Sequence, residues 1–112
     1  MSDEYSTRGG YHYELLKANN WMPWKQRILA VIWDLGLEKY IMKDAKAPES
    51  ADATKLETTA EAEAKKKWEE GDGKACTQIE LSIRNAEMIH ISGTNTASQM
   101  WEQLCMVKES KG

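Results

Sequence analysis

His12, His90, Cys76 and Cys105 are the only histidines and cysteines in the chain, so metal ligation or thiol chemistry would have to use them. Neither histidine is spaced from a Cys, Asp or Glu as zinc ligands usually are, and no HExxH or CxxC occurs. His90 lies within Met88-Ile89-His90-Ile91, the setting of a partly buried structural histidine. A nucleophilic cysteine needs its pKa lowered by a helix N-terminus or a cation. Cys76, close to Asp72-Gly73-Lys74, has the better claim, but both cysteines sit on or beside apolar stripes, as small buried hydrophobes do. The sequence contains no GxSxG, GxxxxGK[ST] or GxGxxG, so it predicts neither an enzyme nor a cofactor. Lys65, Lys66 and Lys67, running into Trp68, together with Arg84, could contact RNA by phosphate neutralisation and base stacking. Glu61, Glu63, Glu69 and Glu70 flank the lysines and would cancel most of their field beyond a Debye length of about 8 Å. RNA is therefore a weak candidate partner, and a solvated helix face with Trp68 turned inward is the simpler expectation.

The elements that would position these residues are helical. Asn19-Asn20 offer N-capping side chains before Trp21-Met22-Pro23, and proline suits a first helical turn because its missing N–H would be unpaired there. Trp24, Ile28, Val31, Ile32 and Leu35 then recur at helical spacing until Gly36, a left-handed C-cap. Leu37, Tyr40 and Ile41 predict a short helical turn docked beside that helix. The Lys43 to Thr54 stretch, broken by Pro48, reads as a surface connection. A second, largely exposed helix follows, with Ala64, Trp68, Ala75, Ile79 and Ile83 as its apolar stripe. Gly71-Asp72-Gly73 interrupts it, and two glycines at about 1 kcal/mol each predict a kink or two abutting helices. Thr96-Ala97-Ser98-Gln99 has capping-box spacing, and the helix it opens carries Ala97, Met100, Trp101, Leu104 and Val107.

The 112 residues, 12.8 kDa, suit one domain, expected as a flexible leader over 1–10, a helical domain over 11–109 and a flexible tail over 110–112. The fold class expected is all-α, a small bundle of about four to six helices. A net charge of -3 and a pI near 5.4 exclude a generally basic nucleic-acid-binding domain. Two cysteines, a polar acidic N-terminus and the lack of about 18 consecutive apolar residues point to a reducing compartment, cytoplasmic or nuclear, and to no membrane association. Five tryptophans and no phenylalanine mean that Trp must supply much of the core, and so small a bundle cannot hide all five. Trp33, just beyond Val31-Ile32, is the candidate for the rim; Met100 and Met106 are further candidate contacts on the last helix.

The succession Leu16, Asn19-Asn20-Trp21-x-x-Trp24-Lys25-x-Arg27-Ile28, then Gly36-Leu37-x-x-Tyr40-Ile41, then Trp68, Asp72, Lys74-Ala75, Ile79 and Leu81-Ser82-Ile83, then Thr96-Ala97-x-x-x-Trp101-x-x-Leu104, resembles the Gag N-terminal region of copia-type LTR retrotransposons. The resemblance covers roughly residues 14 to 107; it departs from the family pattern at Trp21, usually Tyr or Phe, and at Met22-Pro23. It implies a capsid-like helical domain of a structural protein that self-associates into virus-like shells enclosing RNA. The Cx2Cx4Hx4C zinc knuckle of many such polyproteins is absent, as are protease and polymerase motifs, which fits either a segment ahead of them or a shortened, domesticated Gag. The expected partner is therefore a second copy of the chain. The alternative is a domesticated Gag-derived module that binds a host protein or peptide.

Overall fold

The structure, a computed structural model, describes residues 5–6, 10–49 and 58–110. Its elements are two short strands, β1 (Tyr5–Ser6) and β2 (Tyr13–Glu14), and three helices, α1 (Trp21–Asp34), α2 (Thr59–Glu80) and α3 (Ala97–Glu109). Two 3-10 segments, Glu38–Tyr40 and Asn85–Ile91, complete a small all-α bundle. The strands pair antiparallel, Tyr5 opposite Glu14 and Ser6 opposite Tyr13, and Gly10 adopts φ +84° between them. Tyr5–Ser6, within the expected leader, thus pairs with residues beyond it. The rest of that stretch, 1–4 and 7–9, lies outside the described residues, as do 50–57 in the expected connection and 111–112 in the expected tail.

α1 starts where Pro23 allows: the first backbone bond runs from Trp24 N–H to the Asn20 carbonyl, so the proline is never asked to donate. Asn20 occupies the N-cap position but does not cap with its side chain. Its amide turns back instead, accepting from Lys17 N–H at 2.8 Å and donating to the Leu15 carbonyl at 2.9 Å, which fixes the chain entering the helix. At the other end Gly36, at φ +72°, donates to the Trp33 carbonyl and Leu37 to that of Ile32. This is the paired bonding of a Schellman motif, with buried Leu37 and Ile32 making its apolar contact. Leu35, expected in the stripe, is the C-cap residue and is exposed, because the helix ends before its side chain completes another turn on the core face.

α2 is one continuous 22-residue helix, not two abutting ones. Gly71 is explained by a neighbour: a Cβ there would overlap the hydroxyl and ring of Tyr40 from the Glu38–Tyr40 turn. Asp72 does not re-cap α2. Its buried carboxylate accepts from Ala97 N–H at 3.0 Å and so satisfies the first turn of α3. Thr96 caps the same helix, accepting from Gln99 N–H, while Gln99 accepts from Asn95 N–H in place of the Thr96 N–H of a full capping box.

The core gathers Leu16, Trp21, Trp24, Ile28, Leu37, Tyr40, Ile79, Ile83 and Leu104, with Trp68 and Trp101 packed partly buried against it. Trp24 is central. Its ring lies 5.6 Å from Trp21 and 6.1 Å from Trp101, and its indole N–H donates to the Ser82 carbonyl at 2.9 Å. Leu16 N–H donates to that same carbonyl, and Arg84 N–H donates back to Leu16 in a parallel bridge between Leu16 and Ile83. The Ser82 hydroxyl bonds Tyr13 and the Gln78 carbonyl, and the Gln78 amide donates to Tyr13, so the N-terminal segment is bolted to the end of α2 through satisfied polar groups. Ala64 and Val107, expected on apolar stripes, are both exposed: Ala64 precedes the part of α2 that meets the bundle, and Val107 lies on the outer face of α3.

Candidate functional site

Two kinds of surface emerge from this packing, isolated apolar side chains on α1 and α3 and a groove beside α2. Trp33 is 71% exposed, whereas Trp21 and Trp24 are buried and Trp68 and Trp101 packed. Beside it Asp34 accepts a hydrogen bond from the Tyr11 hydroxyl, which holds that phenol above its ordinary pKa and ties the N-terminal segment to this end of α1. On α3, Met106 is 59% exposed and Val107 lies next to it. Met100, expected as a contact, is buried, because its position one turn after Ala97 faces the core; it is withdrawn as an interface residue.

The end of α3 that carries Met106 is held against the start of α1. Glu109 accepts from the Trp21 indole at 3.0 Å and pairs with Lys25 at 2.5 Å; the hydrogen bonds from Lys25 and Trp21 hold its carboxyl below the usual range. Lys108 meets Glu87 at 2.5 Å with both side chains little exposed, and His90 lies 3.6 Å from the same carboxylate. His90 thus lies beside the Lys108–Glu87 ion pair that joins the Asn85–Ile91 segment to α3. A smaller groove of about 350 Å³ runs along α3 between Trp101, Cys105 and Ile41.

A larger groove, about 730 Å³, lies between the end of α1 and α2. Leu35, Leu37 and Tyr40 form one wall, and Gly71, packed on Tyr40, sits in the other. Lys39, Lys67 and Lys74 line it together with Glu70. The Lys39 ammonium lies 5.2 Å from the Tyr40 ring centroid, a cation–π contact. Among the described residues none of these three lysines pairs with a carboxylate.

The four residues expected as weak RNA contacts do not form one patch. Lys65, Lys66 and Lys67 are consecutive in α2 and point about 100° apart, so only Lys67 reaches the groove. Arg84 lies beyond the end of α2, where its charge adds to the hydrogen bonds from Lys17 and Asn20 that lower the pKa of Glu14. Lys39 and Lys74 were missed. Lys67 and Lys74 are seven residues apart, two helical turns, which is a readable signal; Lys39 joins them only through tertiary packing. Cys76 is no activated nucleophile: burial and the neighbouring Asp72 push its thiol up to about 11. Burial also raises Cys105. Among the described residues no group of three or more His, Cys, Asp or Glu side chains could hold a metal, and no helix is long and apolar enough to cross a membrane.

Comparison with protein-family models, curated proteins and solved structures finds no match to this chain.

Proposed function

We propose that the chain is a non-enzymatic structural module that associates with copies of itself, as the likeness of its sequence to copia-type Gag implies. The observation that carries this reading is Trp33, a large aromatic side chain left 71% exposed on a well-packed bundle. Exposed tryptophan is costly in water and typical of binding hot spots. Met106 offers a second exposed apolar side chain for the same association. Trp33 is 12 residues after Trp21 in α1, roughly 18 Å at 1.5 Å per residue, while Met106 is one turn before the Glu109 that holds Trp21. Two exposed apolar side chains near opposite ends of α1 can meet their counterparts in a second copy, Trp33 of one against Met106 of the other.

Light scattering coupled to size-exclusion chromatography from micromolar to millimolar protein tests the reading. The expected mass rises above 12.8 kDa with concentration, and Trp33→Glu returns it toward the monomer with unchanged circular dichroism. A constant monomer mass over the whole range would sink the proposal.

A further inference from the structure

The groove between α1 and α2 has a chemistry that self-association through Trp33 does not use. Its wall is built of Leu35, Leu37 and Tyr40, and three lysines that have no carboxylate partner among the described residues, Lys39, Lys67 and Lys74, line it with one acid of the described residues, Glu70. That is a local positive excess in a chain whose net charge is -3. Unpaired lysines beside an apolar wall are complementary to an anionic ligand that also has something apolar to bury. Glu69, which would offset them, follows the same helix but does not line the groove. Tyr40 is only 5% exposed and Leu35 is the accessible apolar side chain of the wall, so the groove lacks the open aromatic stacking face of a surface that tracks single-stranded nucleic acid.

We infer that this groove binds an acidic peptide segment of a partner protein, in which carboxylates flank one large aliphatic side chain. Lys67 and Lys74 are two turns apart on α2, about 10.5 Å along the axis. An extended peptide rises about 3.3 Å per residue and repeats its face every second residue, so carboxylates four positions apart, about 13 Å, lie within reach of the two flexible lysine side chains, and a leucine midway between them shares their face and meets exposed Leu35. Lys39, positioned over the Tyr40 ring, closes the third side of the charge clamp. At Gly71 the two walls meet, with Tyr40 filling the place a side chain would take.

The test is fluorescence polarisation with the whole chain and a labelled octapeptide carrying four acidic residues around a central leucine. Binding should weaken at least tenfold in the double variant Lys67→Glu, Lys74→Glu and change less than twofold in Lys65→Glu, Lys66→Glu, which alters the same charge on the same helix outside the groove. Replacing the central leucine by alanine should also weaken it, and Trp33→Glu should leave it intact, which separates this site from self-association. Equal loss in the two double variants would overturn the proposal, since a diffuse field would then suffice. So would absence of binding at millimolar protein, or tighter binding of an oligouridine that depends on the same lysines.

Discussion

The two halves of α2 are one helix held by different physics. From Thr59 to Glu70 nearly every side chain except Trp68 faces water, and the half rests on alanine, glutamate and lysine propensity and on a capping box in which Thr58 accepts from Glu61 N–H at 3.1 Å and Glu61 accepts from Thr58 N–H at 2.8 Å. From Gly71 to Glu80 the helix contains two glycines, yet Ala75, Gln78 and Ile79 are buried and Asp72 reaches into α3. The poorer local sequence forms the better-anchored half. Tertiary packing outweighs a propensity deficit of about 2 kcal/mol, as it does whenever an amphipathic face is fully covered.

Substitutions that act on one half only sharpen this contrast. The largest effect is expected from Ile79→Ala, about 2–5 kcal/mol of stability in urea unfolding, against about 1 kcal/mol for Ala64→Gly in the exposed half. Equal losses would mean that the two halves are anchored alike. Thiol reactivity should differ next: with Cys76 near pKa 11 and a cysteine at exposed Lys66 (Lys66→Cys) near the ordinary value, alkylation at pH 8 is expected to be roughly hundredfold slower at Cys76. Comparable rates would show that the thiol is not buried against Asp72.

Gly71 and Gly73 make the sharpest pair because they differ only in what faces them. Gly71→Ala is expected to cost about 1–3 kcal/mol by overpacking Tyr40, whereas Gly73→Ala, with open space around it, should add about 0.5–1 kcal/mol of helix propensity. Thermal unfolding midpoints shifting in the same direction would break the comparison. A similarly small effect is expected from Thr58→Ala, about 1 kcal/mol or less, confined to the first turns of α2 and visible as a small loss of far-ultraviolet helicity.

Much of the fold is legible in the sequence because its signals are local. Pro23 and Gly36 bracket α1, and Thr96 with Gln99 opens α3, each through a bond or a backbone angle that adjacent residues determine. The aromatic and aliphatic spacing likewise marks the core positions from Leu16 to Leu104. What the sequence hides is what one element does for another. Gly71 reads as a break until Tyr40 is placed against it, and Asp72 reads as an interruption until it is seen to satisfy Ala97. Met100 and Met106 are alike as residues, and only the rotation of α3 separates a core side chain from an exposed one. The groove is hidden for the same reason, since Lys39 reaches Lys67 and Lys74 through the docking of the turn after α1.

The Ser82 carbonyl, which takes hydrogen bonds from both Leu16 N–H and the Trp24 indole, also bears on how fast the chain folds. Tyr13 and Ser82 are 69 residues apart and Trp24 and Ser82 are 58 apart, so this junction closes large loops that local helix formation does nothing to shorten. Isolated helical turns form in about a microsecond, and closing loops this long costs entropy that those local turns do not repay. The junction is therefore expected to form late. In stopped-flow kinetics Leu16→Ala should chiefly accelerate unfolding and leave the refolding rate near that of the parent chain; a matching slowdown in refolding would place the junction in the folding nucleus instead.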